Sequence, residues 1–453
     1  MASTPNRPRL VRTSGAESAK RAAGAPLLPD IPRDAPYCFR GRNILMLQGP
    51  VGPFFNGLAQ DVRWAGANVH KINFNGGDWF FFPRGATSFT GKASAFPPFL
   101  ERFCDEKRID TVMLFGDCRK LHDIAARVAK ARGIELLVFE EGYIRPDYIT
   151  MERHGVNGRS AMPRSPIFYL NTPSPEPRPP QRIRQTIWRA TALAFTYYFW
   201  AVLLSPFFPR YKHHRPLSWF EGLMWTRGAF RKLWYQLANR RIVARLNGDE
   251  RPPFFLVPLQ VHNDAQVDVH STFDSVEAFI EHVVASFAAS APGDRLLVFK
   301  HHPMDRAYTD YTRLLRRLAR SSGLGERLIY VHDPHLPTLL SHAEGVVTIN
   351  STTGFSAIHH GTPTLLLGEA VYRIDGLVAA TSLDRFWSTA ADHPVHRELY
   401  LSFRRQLIER TQINGNFYRR LPIPGSMSGI DWARGKEPRT EQGADAEAAT
   451  REG

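Results

Sequence analysis

Short apolar runs alternate with amphipathic stretches along most of this chain. The run NILMLQ at 43–48 is unbroken and stops at Gly49-Pro50, the pattern of a buried strand entering a turn. Residues 58–65 place apolar positions at helical spacing. Residues 68–73 and 111–115 then read as strands, 121–131 as a helix and 135–139 as a further strand. The alternation resumes at 254–257. Helix 276–289, strand 295–300, helix 308–319, strand 327–330, helix 336–343, strand 345–349, helix 354–360 and strand 364–367 follow. Strands that are apolar throughout, each followed by a helix, predict parallel sheets covered on both faces. The expected fold class is α/β: two Rossmann-like domains facing across a cleft, with ligands at the carboxyl ends of the strands.

The stretch between the two units differs. Residues 163–182 hold seven prolines and mark a break or linker. Residues 183–245 are helical in pattern, basic and aromatic, with Trp188, Trp200, Trp219, Trp225 and Trp234. The most apolar run, 190–204, is about 15 residues long, short of the roughly 20 that span a bilayer. The expected organisation is a disordered basic tail over 1–37, an acceptor-side domain over 41–162, a linker and helical, basic-aromatic insert over 163–250, a donor-binding domain over 251–425 and a second disordered tail over 436–453.

Composition narrows the setting. Of 453 residues 43% are hydrophobic and 22% charged, enough to bury two cores. Three cysteines, Cys38, Cys104 and Cys118, show neither zinc-site spacing nor an even disulfide framework, so a reducing cytoplasm is expected. No apolar signal core precedes Cys38. The net charge of +15 attracts anions: nucleic acid, anionic lipid or a phosphorylated substrate. No nucleic-acid-binding motif accompanies that charge, so no nucleic-acid partner is expected.

Polar residues gather where strands end. In TINSTTGF a strand delivers Asn350, Ser351, Thr352 and Thr353, and Gly354 opens a helix; amides and hydroxyls there can hold an anion or simply cap the helix. In LLVFKHHP another strand delivers Lys300, His301, His302 and Pro303, where Lys and His can neutralise a departing phosphate or form a plain surface pair. In VPLQVHND the strand leads to Gln260, His262, Asn263 and Asp264; Asp264 can act as nucleophile or base, or cap the next helix. FEEGYIRPDYITME offers Glu140, Glu141, Arg145 and Glu152 in a loop that can face Asp264, and paired carboxylates are what transfer through a covalent glycosyl intermediate needs. Gln48, Gly49, Asn73, Asn75 and Asp78 form a fifth, amide-rich group on the first domain's side of the cleft.

LQGPVGPFF, KINFNGGDW, EEGYIRPDYITME, VPLQVHNDAQV, KHHP and NSTTGFSAIHHGTPTL stand in one order over about residues 41–425. Together they resemble the capsule polysaccharide biosynthesis/export family, most closely its S-type branch. The resemblance implies a GT-B fold and a retaining glycosyltransferase that moves Kdo from CMP-β-Kdo to a phosphatidylglycerol or lysophosphatidylglycerol acceptor. It implies His302-Pro303 as the donor-phosphate motif with Lys300 beside it, and Ser351 and Thr352 in the donor loop, with Glu369 grouped among the donor contacts. Asp264 is implied as the nucleophile, and Glu140 or Glu141 as acid/base. Neither metal nor cofactor is implied. The expected partners are the nucleotide sugar, the anionic inner face of the cytoplasmic membrane and other capsule synthesis and export proteins. Two rivals remain at this point: a transferase extending a glycan acceptor, and a non-catalytic export or scaffold protein.

Overall fold

The computed structural model describes residues 39–172, 176–177, 179–184, 186–211, 221–262 and 271–432, without the side chains of 221–225 and 229. The expected tails and Asp264, with its neighbours 263–270, lie outside the described residues.

The first sheet holds β1 (Asn43–Met46), β2 (Asn68–Asn73), β3 (Ala86–Ser88), β4 (Thr111–Phe115), β5 (Glu135–Glu141), β6 (Tyr148–Arg153) and β12 (Gln412–Asn414), in the order β12-β6-β5-β4-β1-β2-β3. The second holds β7 (Phe254–Pro258), β8 (Leu296–Lys300), β9 (Leu328–Val331), β10 (Gly345–Thr348) and β11 (Thr364–Leu366), in the order β11-β10-β7-β8-β9, all parallel. The parallel part of the first sheet repeats this winding, so each domain has a switch point where the strand order reverses. It lies between β1 and β4 in the first domain and between β7 and β10 in the second.

The strands lack polar alternation because both faces are covered. Phe255, Val257, Leu297, Phe299 and Val347 enter one core of the second sheet, while Phe254, Leu256, Leu296, Val298 and Val346 enter the other. The first sheet divides Leu45 and Leu47 from Ile44 and Met46 in the same way. At about 25 cal/mol per Å² of apolar surface, such burial is the main term holding each domain.

Three features depart from the expected layout. The FEEGYIRPDYITME segment is a hairpin rather than a loop: β6 runs antiparallel to β5, with Glu140 opposite Thr150. The proline-rich stretch contains helix Pro166–Asn171, packed on helix Arg397–Thr411. After that long helix the chain leaves the second domain and adds β12 to the first sheet, Ile413 opposite Ile149, which a donor domain running to 425 did not include. A shared core of Tyr143, Met162 and Tyr169 with Phe355, Tyr372, Tyr400 and Phe403 joins the domains.

The insert contains helices Ile187–Leu203, Glu221–Ala238 and Arg240–Asn247. The first lies against helix Gly76–Phe81: a Cβ on Gly76 would collide with the Trp200 carbonyl, and one on Gly77 would stand 2.7 Å from the Tyr197 carbonyl. The two glycines let the helices approach at backbone distance. Helix Glu221–Ala238 reaches the second domain, where Arg231 donates to the Arg306 carbonyl at 2.9 Å and pairs with Asp310 at 3.5 Å. Tyr235 stacks on His332 with ring centroids 3.5 Å apart. Arg231 thus docks this helix on the second domain. Among the described residues no helix is long and apolar enough to cross a membrane.

Candidate functional site

Strand β8 ends at Lys300, and the 3₁₀ turn Pro303–Asp305 follows at once. Pro303 fixes φ at the turn's first position, and His302 caps it: its Nδ1 accepts from the Met304 amide at 3.2 Å. That bond leaves the proton on Nε2, which makes His302 a neutral donor. Burial, reinforced by Lys300, pushes its pKa down to about 4. Lys300 is buried, and burial lowers its ammonium to about 8. Its Nζ donates only to the His301 carbonyl, at 3.3 Å, and among the described residues no carboxylate pairs with it. A buried ammonium with no carboxylate within ion-pair distance among the described residues, supported only by the more distant charge of Asp333, stands beside a fixed N–H donor, an arrangement that suits an anion. His301 turns away: it bonds Tyr330 Oη at 2.6 Å.

Asp305, fully buried, accepts from the His262 amide at 2.9 Å and from Thr309 Oγ1 at 2.8 Å, tying the loop after β7 to the turn after β8. Gln260, after β7, donates to Asn350, after β10, at 3.0 Å, so this pair closes the second domain's switch point. Ser351 caps helix Thr352–His359: its Oγ accepts from the Thr353 amide at 3.1 Å, and its carbonyl accepts from the Gly354 amide at 2.9 Å. Two amides expected to face an anion are spent within the turn. Gly354 is small because a Cβ there would meet the Tyr372 hydroxyl. Glu369 sits on the exposed surface, paired with Arg373 at 3.2 Å.

On the first domain's side Glu140 and Glu141 end β5 and differ sharply. Glu141 accepts from Tyr418 Oη at 2.6 Å. Glu140 accepts from the Glu141 amide at 3.0 Å, and burial, opposed by that bond, raises its pKa to about 7. Arg119 and Arg145 both act on the Glu140 carboxyl, and Arg145 also acts on His302, so these groups converge across the domain boundary. Glu152 bonds Tyr143 Oη at 2.8 Å and the Ser160 hydroxyl, and burial raises it to about 7; it belongs to the hairpin's interior.

The amide-rich group is a buried knot. Tyr197, from the insert, accepts from Gln48 and Asn75 at 2.7 Å each and donates to Asp78 at 2.9 Å. Asp78 also accepts from the Phe74 amide at 3.0 Å, and its amide donates to Asn75 at 3.0 Å. Asn73 donates to the Phe82 carbonyl at 3.0 Å, and Gly49 packs against Phe55. These residues seat the insert helix. Gln48 alone reaches further: its Oε1 accepts from Arg119 at 2.7 Å, bridging β1 and β4 at the first switch point. Sequence reading missed Arg119, Tyr197, Tyr418 and Asp305, and also Tyr211, whose Oη accepts from Gln48 Nε2 at 3.1 Å. Arg119 was findable, since it follows a strand end at a switch; Tyr197 sits in an apolar run and carried no local signal.

The family model for capsule polysaccharide biosynthesis protein matches residues 110–418. The chain is 40% identical over 380 residues to the capsule polysaccharide export protein KpsS of Escherichia coli, covering 83% of this chain and 97% of the relative. It is 40% identical over 395 residues to the capsule polysaccharide modification protein LipB of Neisseria meningitidis serogroup B, covering 85% and 94%. Among solved structures, the β-Kdo 2,7 transferase KpsC of Thermosulfurimonas dismutans aligns over 83% of this chain and 93% of its own, at 14% identity and a TM-score of 0.37.

Proposed function

The chain belongs to the capsule polysaccharide biosynthesis protein family, and from that premise we propose that it is a retaining glycosyltransferase moving Kdo from CMP-β-Kdo to a phosphatidylglycerol or lysophosphatidylglycerol acceptor at the inner face of the cytoplasmic membrane. The observation that supports transfer is the buried Lys300, with no ion pair among the described residues, beside the Nε2–H donor of His302 at the end of β8. The motif resemblance supplies the sugar and the nucleotide. No metal or cofactor takes part in this reading, and other capsule synthesis and export proteins are the partners it implies.

In the first step the Asp264 carboxylate attacks the anomeric carbon. The carbon–oxygen bond to the CMP phosphate breaks, and the bonding pair leaves on the phosphate oxygen, neutralised by Lys300 and His302. In the second, an acceptor hydroxyl displaces Asp264 and its proton passes to Glu140. Two inversions retain the configuration. We assign the base to Glu140 because its pKa is raised to about 7, where a base works best, whereas Glu141 is engaged by Tyr418.

The test is incubation of purified protein with CMP-Kdo and fluorescent phosphatidylglycerol or lysophosphatidylglycerol, read by mass spectrometry. Addition of one Kdo to the lipid supports the assignment. Addition only to a glycan acceptor replaces it with linker extension, and donor binding without any transfer makes the protein a scaffold.

A further inference from the structure

The β5–β6 hairpin ends in a turn that is fastened on both sides. Tyr143 enters the core shared with Phe355, Leu366 and Tyr372 of the second domain, and Ile144 packs against it, so the turn stands where the two domains meet. The Tyr143 amide donates to Gln412 at 3.0 Å. Asp147 closes the turn. Its carbonyl accepts from the Gly415 amide at 3.1 Å and from Asn414 Nδ2 at 2.6 Å, and its carboxylate accepts from the Ile183 amide at 2.6 Å. A turn held this way presents its middle side chain in one place.

That side chain is Arg145. It is exposed, and its Nε donates to the Gly142 carbonyl at 3.1 Å, which steadies the guanidinium and leaves both Nη groups unspent. Among the described residues no carboxylate lies within ion-pair distance of it, although two glutamates precede it closely in the chain: Glu141 bonds Tyr418, and Glu140 bonds the Glu141 amide. The charge of Arg145 reaches Glu140 and Tyr418 on its own domain and His302 on the other. A steadied guanidinium with its outer fork unspent is shaped for a pair of oxygens on a carboxylate or a phosphate.

The phosphate of a nucleotide sugar already has its partners in Lys300 and His302. Arg145 is a second cationic point, set across the domain boundary from them. A ligand that meets both points carries two anionic groups close together. A sugar acid whose carboxylate and phosphate share one carbon is such a ligand, and a neutral hexose is not. We propose that Arg145 binds the carboxylate of the donor sugar while Lys300 and His302 face the phosphate on the same carbon, so that Arg145 restricts the donor to keto-acid sugars. This deepens the transferase reading and rests on it for the identity of the donor. It also gives a reason for a cation beside Glu140: a carboxylate base next to an anionic sugar needs their repulsion offset.

The test measures binding to the full chain, without acceptor, of CMP-Kdo, of its C1 carboxamide and of CMP, by titration calorimetry. The wild type should hold CMP-Kdo about tenfold or more tighter than the carboxamide, as a charge-assisted pair of hydrogen bonds requires. Equal binding of the two, a result that needs no variant, overturns the proposal. In Arg145→Gln the preference should vanish while CMP binds as before, and Arg145→Lys, which keeps the charge but not the fork, should restore part of it. Arg145 is exposed, so both variants should keep the wild-type melting temperature. A preference that persists in Arg145→Gln gives the carboxylate to another residue, and an equal loss of CMP and CMP-Kdo gives Arg145 to the phosphate; either overturns the assignment. If the preference depends on Arg145 but Kdo passes to neither lipid nor glycan, the transferase reading fails and the site stands. If Arg145→Gln transfers Kdo with undiminished kcat/KM, the site fails and the transferase reading stands.

Discussion

The two switch points begin from the same design and end differently. In each, a glutamine beyond the first strand reaches across the reversal, Gln48 to Arg119 and Gln260 to Asn350. In the first domain the polar residues around that glutamine are consumed: Asn75, Asp78 and Tyr197 satisfy one another and anchor an insert helix. In the second, Lys300 has no carboxylate within ion-pair distance among the described residues, and His302 keeps a donor to spare. Polar density at a strand end is common to both and therefore says little. What separates a site from a seat is whether the groups are already spent, because a buried group left unsatisfied costs stability that packing does not recover.

Substitutions can break this contrast at either end, the donor side first. Asp264→Asn keeps shape and removes the carboxylate proposed as nucleophile, and turnover should fall by a factor on the order of 10⁴ with CMP binding retained. Mass spectrometry of a trapped wild-type reaction should place Kdo on the peptide containing Asp264. An active variant, or an adduct on another carboxylate, removes the assignment.

His302→Ala takes away the Nε2–H donor and should lower kcat by about 10²–10³, in line with loss of one preorganised donor. Unchanged kcat and CMP affinity would mean that the second switch point is as spent as the first.

The pH profile sharpens the comparison further. Glu140 must be ionised to accept a proton, so the rate should drop as pH falls through about 7; Lys300 must be protonated, so it should drop again above about 8. In Glu140→Gln the acidic limb should vanish, and the remaining rate should be about 10²–10⁴ lower. An acidic limb that persists in that variant belongs to another group.

Asp78→Asn tests the other side. Loss of a charged acceptor from a buried knot should cost about 1–3 kcal/mol in denaturant unfolding and leave kcat of the folded enzyme as it was. A kcat that falls while stability holds would return the knot to the catalytic machinery. The smallest effect is expected at Glu369, whose exposed pair with Arg373 is worth little: Glu369→Gln should shift stability by no more than about 0.5 kcal/mol and leave CMP binding alone.

The sequence made the α/β alternation legible because buried parallel strands have a local pattern: 43–48, 111–115 and 295–300 announce themselves by apolar runs and turn residues. The loop after β8 was legible for the same reason, since Lys300, His302 and Pro303 are adjacent in sequence and in space. Strand β6 was passed over because its first residues lie in a motif read for its charges, although YITMER carries the β-branched and aromatic content of a strand. The knot was not legible because its partners come from far away: Tyr197 meets Gln48 across 149 positions and Asp78 across 119. No local pattern tells a glutamine awaiting a ligand from one awaiting a distant tyrosine. The same holds for Glu141, whose engagement with Tyr418 spans 277 residues and is what tells it apart from Glu140.

Strand β12 gives the molecule a particular modularity. The first sheet needs residues 412–414 to cover the edge of β6, and Gln412 also bonds the Tyr143 amide at 3.0 Å. The first domain is thus written in two instalments, with the whole second domain between them. A gene fragment ending before 412 would encode a domain with a bare, aggregation-prone edge. Exchange of the second domain between relatives must leave this last strand with its original host, so recombination can move that domain only as an insertion, never as a simple tail swap.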